Sequence, residues 1–518
     1  MISKELQEQF INSMPVFEES IQAFEKGEID RNKLKGVSGG FGSYAQREGG
    51  YMVRLRLPGG RVKKETLKFI AEESLKYGSD LLKLTTCQAI QVHNLNAENT
   101  VAMVRDALDF GIITCGGGGD NPRNVTASPL TGVSADETFD VTPYVETVGD
   151  YLLTRMPELH MPRKLKVGFS NTPANETHAN FRDLGFIANA DGTFSVYCAG
   201  GLGPNPKLGV LIADKADPKE VTLYASAMIR LFTTYGNYDS RAKARTRYMQ
   251  ETLGAEGLRQ HFLEFLEEVR KEEKPWPVKE ASEITKSGEG EISPELIKTG
   301  RITAQKQPGL YAVSYHPVAG RMKPEKAMEL YRTIADMEAV EIRVAPAGTL
   351  YIINLTASEA EKVSEITKDG ANSPFETSIS CIGGTICQHG LRDSGGLVIA
   401  CVERARKEDF APGVLPMMHV SGCPSSCGSH QVGAIGFIGH TKKVNGVSEP
   451  AFKLYAEGCD TNPGTRLGGE IGVIAQKDIP EFLVELGHKI QDAGMKFDTW
   501  YPKHREEFMA LAKKYAEK

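Results

Sequence analysis

The stretch Tyr51–Glu65, YMVRLRLPGGRVKKE, returns in the second half of the chain as Tyr311–Glu325, YAVSYHPVAGRMKPE. Identities fall at Tyr51/Tyr311, Val53/Val313, Gly60/Gly320, Arg61/Arg321, Lys63/Lys323 and Glu65/Glu325. The same offset runs without a gap to QVHNL, ending at Leu95, and YIINL, ending at Leu355. Each copy reads as a strand, a glycine turn, an amphipathic helix and a second strand. The helices are KKETLKFIAEESLKYG and KPEKAMELYRTIADME, whose apolar residues recur at helical spacing. This is half of a ferredoxin-like βαβ arrangement, and two such halves could complete one sheet. An internal repeat of this length makes the protein a doubled α+β unit.

A weaker echo follows each copy. Gly185-Phe186-Ile187 precedes Asn205-Pro206, as Gly436-Phe437-Ile438 precedes Asn462-Pro463. Between the halves, KEEKPWPVKEASEITKSGEGEISPE from Lys271 is charged and rich in Pro, Gly and Ser, and reads as a linker. At 518 residues the chain needs two or three cores. Its 40% hydrophobic and 25% charged content is that of a globular protein. A formal charge of −6 gives no general basic surplus for nucleic acid, though it permits a local pocket for a small anion. The opening MISKELQEQFINSMPVFEES has no apolar core of a signal, and no apolar run reaches membrane length. A cytoplasmic location is expected, and there nine cysteines are thiols or metal ligands rather than disulfides.

Four of the cysteines form two pairs, Cys381 and Cys387 in SCIGGTICQHG, and Cys423 and Cys427 in SGCPSSCGSHQ. Four thiolates in two pairs suit a cubane iron–sulfur cluster, in which each iron takes one soft anionic ligand. Gly383, Gly384, Gly422 and Gly428 would let backbone N–H groups turn toward its sulfurs. A four-cysteine zinc site is the competing reading, although zinc pairs are usually tighter than the first pair here. Cys87, Cys115, Cys198, Cys401 and Cys459 stand alone and read as small apolar residues.

Cations gather in the first half. Arg54 and Arg56 alternate on a strand, Arg123 follows the tract CGGGGD, and Lys164 and Lys166 alternate in PRKLKVGF. Arg241, Lys243, Arg245 and Arg247 crowd NYDSRAKARTRYM. Converging fixed cations favour a small oxyanion and the charge that develops on it. CGGGGD and AGGLG lack the strand–helix context of a dinucleotide fingerprint and read as loops admitting a large flat ligand.

Together, C-x5-C, GCPxxCG, the GFIG-type strand and the NP/RLGG turn resemble the sirohaem- and [4Fe–4S]-containing sulfite and nitrite reductases. The resemblance runs from about Tyr51 to the C-terminal helices. It implies a three-domain, internally duplicated fold: an extension at 1–47, a first ferredoxin-like half at 48–115, and a first α/β domain at 116–270. A linker at 271–307, a second half at 308–371 and a cluster-bearing α/β domain at 372–518 would follow. It further implies that Cys381, Cys387, Cys423 and Cys427 ligate the [4Fe–4S] cluster, with Cys427 bridging to the sirohaem iron. Arg54, Arg123, Lys164 and Lys166 would face the substrate, and Arg241, Lys243, Arg245 and Arg247 would meet sirohaem carboxylates. Two positions depart from the family. Thr85-Thr86-Cys87-Gln88 stands where TxRQ is usual, and Tyr238 stands where sulfite reductases often have arginine.

Lys164-Leu165-Lys166 resembles the sulfite enzymes, where plant-type nitrite reductases tend to show Lys-x-Asn. A second lysine suits the partly dianionic sulfite better than nitrite. The implied activity is an oxidoreductase taking sulfite to sulfide by six electrons. Nitrite to ammonium is the alternative, as is a cluster-only redox protein without sirohaem. Electrons would come from a separate ferredoxin or flavoprotein subunit, and no nucleic-acid or membrane partner is expected.

Overall fold

The computed structural model describes residues 4–444 and 446–518. Three helices open the chain, α1 (Lys4–Asn12), α2 (Met14–Glu25) and α3 (Arg31–Ser38). Then come β1 (Ser43–Ala45), β2 (Tyr51–Leu55), β3 (Arg61–Val62), α4 (Lys64–Lys76), β4 (Leu82–Leu84), β5 (Ile90–Leu95) and α5 (Ala97–Phe110). The first α/β unit holds β6 (Thr126–Ala127), α6 (Thr142–Arg155), β7 (Val167–Ser170), β8 (Leu184–Ala188) and β9 (Phe194–Cys198). It ends with β10 (Val210–Ala216), α7 (Val221–Tyr235) and α8 (Met249–Glu272).

The second half repeats this order: α9 (Pro294–Lys298), β11 (Ile302–Ala304), β12 (Tyr311–Tyr315), β13 (Arg321–Met322) and α10 (Pro324–Ile334). Next are β14 (Glu341–Val344), β15 (Leu350–Leu355) and α11 (Ala357–Ile366). Its α/β unit holds β16 (Ile379–Ser380), α12 (Ser394–Ala405), β17 (Met418–Ser421), β18 (Ile435–Val444) and β19 (Val447–Ala456). β20 (Gly469–Ala475), α13 (Ile479–Asp492), α14 (Phe497–Trp500) and α15 (Arg505–Glu517) complete it.

The two copies build two five-stranded sheets, not one. Their orders are β1-β2-β5-β4-β13 and β11-β12-β15-β14-β3, so each sheet takes its last strand from the other half. Met322 registers with Leu82, and Val62 with Ile342. The cause is the turn after β2, where Gly59 and Gly60 both take positive φ and throw β3 across to its partner. A side chain at Gly60 would lie 2.3 Å from the Val344 carbonyl oxygen, so only glycine permits the approach. The exchange gives both copies one core, with Val53, Val62, Ile70 and Val92 packed in the same cluster as Val313, Leu330, Ile342 and Ile352.

The repeat reaches side-chain detail. Asn94 and Asn354 both have left-handed backbone within β5 and β15. Gln46 clamps the first through both ends of its amide (2.7 and 3.1 Å), and Gln305 clamps the second (3.0 and 2.7 Å). The first sheet therefore begins at β1, ahead of residue 48, and the second begins at β11, inside the stretch read as linker. Residues 273–292 have no helix or strand, yet they are pinned: Lys279 pairs with Asp150 at 2.6 Å and Lys286 with Glu359 at 2.6 Å.

Both α/β units share one topology, β10-β9-β8-β7-β6 and β20-β19-β18-β17-β16, with the last three strands of each parallel. Each has its own core. Loops leaving the C-terminal ends of β7 and β17 face the junction between units, the usual place for a site on parallel strands. Among the described residues no helix is long and apolar enough to cross a membrane.

Candidate active site

The cysteine pairs leave adjacent parallel strands. Ser380 registers with Val420, which sets the loop after β16 beside the loop after β17. The Gly422 N–H donates to Cys381 Sγ at 3.2 Å, and the Ser394 hydroxyl lies 2.9 Å from the same sulfur. Arg321, identical to Arg61 in the repeat, donates to the Ile382 carbonyl at 2.8 Å and so anchors this loop to the shared core. Burial pushes the Cys387 thiol up, the His389 and Gly390 amides aimed at it pull the other way, and Cys427 and Cys381 raise it further. Burial and Cys381 likewise push Cys427 up. Thiols that raise one another and sit under backbone donors fit a positively charged iron cluster that takes them as thiolates. Among the described residues no three His, Cys, Asp or Glu side chains gather tightly enough for a single ion.

Cys427 is accessible to water yet desolvated by the protein around it, as a side chain lining a deep recess is. Cations of the first half converge on that recess. A bridge between Pro122 and Leu165 and a bond from the Arg123 N–H to the Leu165 carbonyl (2.8 Å) set Arg123 beside Lys164 and Lys166. The Arg123 guanidinium donates to the Gly117 and Gly119 carbonyls at 2.8 and 2.6 Å, and Arg54 also donates to Gly117. CGGGGD is therefore an arginine holder, and a side chain at Gly118 would meet the Gly39 carbonyl at 2.4 Å. Burial, then Lys166, Arg245 and Arg123, drive the Lys164 ammonium well below its ordinary range. Burial holds Arg123 down to about 10, and its Nε is buried without a partner. So much uncompensated positive charge fits a ligand bearing several negative charges.

Cys87 faces the same cations. Burial alone would raise its thiol, but Lys166, Arg182 and Arg54 bring it down to about 6, which favours the thiolate. Thr86, its neighbour, donates to the Cys427 carbonyl at 3.2 Å, tying the loop after β4 to the cysteine loop.

The RAKARTR group divides. Arg245 turns in and pairs at 3.0 Å with Asp183, whose side chain is fully buried. Arg247 is buried against Gly201 and Gly203 of AGGLG and donates to the Asn205 carbonyl at 2.7 Å. Arg241 is exposed and paired with Asp120 at 2.6 Å, and Lys243 is exposed. These residues lie on short 3-10 turns, so alternation does not place them on one face. Arg56 is buried structure, holding the Cys115, Pro122 and Arg123 carbonyls at 3.1 to 3.2 Å. Tyr238 points outward and donates to the His160 carbonyl at 2.8 Å.

Three residues at the recess had no sequence signal beyond their charge or ring. Asp183 also accepts from the Lys166 N–H at 2.7 Å, so one buried carboxylate positions both Lys166 and Arg245. Arg182, which precedes it, faces Cys87. Tyr44 accepts from the Gly119 N–H at 2.8 Å. Burial would raise its phenol, yet Arg123 and Arg54 bring it below the ordinary range. In the first half, the loop equivalent to the second cysteine pair is Asn171–His178. Left-handed Asn175 and His178 stand where Ser426 and Ser429 do, and it carries no cysteine.

Two family sequence models match this chain. The nitrite/sulfite reductase ferredoxin-like half domain covers residues 44–109, and the nitrite and sulphite reductase 4Fe-4S domain covers 118–270. The second match falls on the copy without the cysteine pairs. The ferredoxin–nitrite reductase of Synechococcus elongatus is 26% identical over 466 residues, covering 85% of this chain and 86% of that protein. A sulfite reductase [ferredoxin] of Mycolicibacterium paratuberculosis is 26% identical over 474 residues, covering 83% and 80%. The Mycobacterium tuberculosis NirA protein shares the fold, with a TM-score of 0.72 at 22% identity over 89% of this chain and 90% of that one. The chain therefore belongs to the nitrite and sulfite reductase family, oxidoreductases that work with sirohaem and a [4Fe–4S] cluster.

Proposed function

We propose that this chain reduces sulfite to sulfide, taking up six electrons and six protons and releasing three waters per turnover. The observation that carries the reading is Lys164 and Lys166 side by side in a recess with Arg54 and Arg123, where burial first and then neighbouring cations lower the Lys164 ammonium. An anion entering relieves that repulsion and so favours the charged form of Lys164. The pair then holds substrate oxygens and supplies protons as they leave. Arg54 and Arg123, fixed by glycine carbonyls, orient the anion without reorganising.

When bound, sirohaem supplies the iron that takes the substrate, and the cluster supplies single electrons. Cys381, Cys387, Cys423 and Cys427 would hold the cluster, with Cys427 shared between both groups. Arg245 and Arg247 would meet sirohaem carboxylates, with Arg241 and Lys243 at the rim. The electron donor is a separate protein.

One observation favours nitrite as a second reading. Cys87 lies among Lys166, Arg182 and Arg54, and once ionised it subtracts a charge from the recess, which suits a monoanion better.

Anaerobic purification and a visible spectrum test the cofactor assignment. An intense Soret band is expected, and its absence in protein made with ample sirohaem would sink the reductase reading. Steady-state rates with reduced methyl viologen then decide the anion. Sulfite should have the higher kcat/KM, and Lys166→Asn should move the preference toward nitrite by roughly tenfold, the cost of about 1.4 kcal/mol of lost charge pairing. An unchanged ratio counts against the lysine argument.

A further inference from the structure

Strand β5 carries two buried polar residues, Gln91 and His93, which alternate with Ile90 and Val92 of the shared core and so lie on its other face. Gln91 registers with Arg54 on β2. Its amide oxygen accepts from the Arg54 guanidinium at 2.6 and 3.3 Å. The other end of the amide lies 3.3 Å from His93 Nε2, and with the oxygen turned to Arg54 that end is the NH2 donor. His93 Nε2 is then the acceptor, and its Nδ1–H donates to Gln46 Oε1 at 2.9 Å. That oxygen also accepts from the Asn94 N–H at 3.1 Å. Each bond in the row therefore has one direction. Gln46 fixes the tautomer of His93, His93 fixes the face of Gln91, and Gln91 presents an oxygen to Arg54. Burial first, then Arg54, Lys83 and Arg321, hold His93 toward the neutral form that the row needs.

On its other side Arg54 donates to the Gly117 carbonyl. Among the described residues no carboxylate pairs with it. Both anchors are neutral oxygens, so its charge is left for a ligand.

The repeat separates this row from the needs of the fold. The second copy keeps the Gln305 clamp on left-handed Asn354, as the first keeps Gln46 on Asn94. Yet Ser314, Tyr351 and Ile353 stand where Arg54, Gln91 and His93 do, and Ser314 registers with Tyr351 as Arg54 does with Gln91. Ile353 is buried with Val133 and Ala312. A strand of this shape thus folds with a hydrocarbon at the histidine position. The polar row occurs only in the copy whose strands face the cation recess.

We propose that His93 and Gln91 are positioning residues of the anion site: His93 orients the Gln91 amide, and that amide holds the Arg54 guanidinium toward the recess. The proposal rests on the anion reading above and adds the pair that sets its Arg54. Without the histidine, the Gln91 amide is free to turn over and aim N–H groups at a guanidinium that repels them. Arg54 then keeps one anchor, and anion binding weakens because it must also order the arginine.

The test uses the full-length holoenzyme. Sulfite and nitrite are each titrated into the oxidised protein, and the visible spectrum gives their dissociation constants. His93→Leu should weaken both anions by roughly tenfold and raise KM more than it lowers kcat. His93→Gln, which offers an acceptor and a donor in one side chain, should recover most of that loss. In an Arg54→Leu background, His93→Leu should change neither constant further. Equal binding by His93→Leu and the parent, or the same loss with and without Arg54, would overturn the proposal. If His93→Leu does not fold, Gln91→Leu carries the same expectations through the same cycle. Crystal structures of parent and variant give a readout independent of binding and turnover. Arg54 should be displaced from Gly117 in the variant, and an unmoved Arg54 overturns the proposal whichever anion is preferred. If the parent reduces neither anion, the reductase reading fails, while a displaced Arg54 still supports the positioning row.

Discussion

Asp183 holds Lys166 through its backbone and Arg245 through its guanidinium, with no exposure of its own. A carboxylate so buried must be paired, and its loss would leave Arg245 as an uncompensated charge. Asp183→Ala is therefore expected to cost about 3–5 kcal/mol, read from the denaturant midpoint of the purified protein. Loss below about 1 kcal/mol would mean that water replaces it. Sequence reading finds the residues Asp183 positions but not Asp183 itself. Lys164, Lys166 and the cysteine pairs announce themselves by spacing, whereas one acid ahead of a strand looks like any other. The same limit applies to RAKARTR, where four cations in a row hide the fact that Arg245 and Arg247 turn inward while Arg241 and Lys243 do not.

At the scale of elements, Gln88 is the residue on which three units meet. Its amide donates to the Ala127 carbonyl at 2.8 Å and the Val344 carbonyl at 2.7 Å, and accepts from the Ala127 N–H at 2.8 Å. It thereby joins the turn before β5 to β6 and to β14 of the opposite copy. Gln88→Ala leaves these buried groups unpaired, and urea unfolding should show a loss upward of about 2 kcal/mol. A loss under about 0.5 kcal/mol would mean that the junction relaxes. The strand–turn–helix–strand order is legible because identical glycines and a helical apolar stripe mark it in both copies. The exchange of β3 and β13 is not, since a two-residue strand has no periodicity to read.

At the scale of the whole molecule, His93, His316 and His430 are buried and held toward the neutral form. Burial is the first cause in each case, and it brings His93, His316 and His430 down to about 3. Neighbouring cations add to the effect at His93 and His316, and His419 does so at His430. Their folded values lie below the unfolded one, so the unfolded chain binds more protons and stability rises with pH. The contribution is whole above about pH 6.5 and drains as pH falls toward 3, each site adding about 1.4 kcal/mol per pH unit within that window. Melting temperature should thus fall steadily from pH 7 to pH 4.5, and a flat profile would contradict the burial argument.

The exchanged strands carry one more consequence. A chain cut between residues 273 and 292 would yield two fragments, each holding a strand that belongs to the other and each missing the strand that closes its own sheet. Such fragments are complementary the way clasped hands are. Either alone presents an open edge to any passing chain. Made together, they can reform the whole, and a protease nick in that stretch need not release either half.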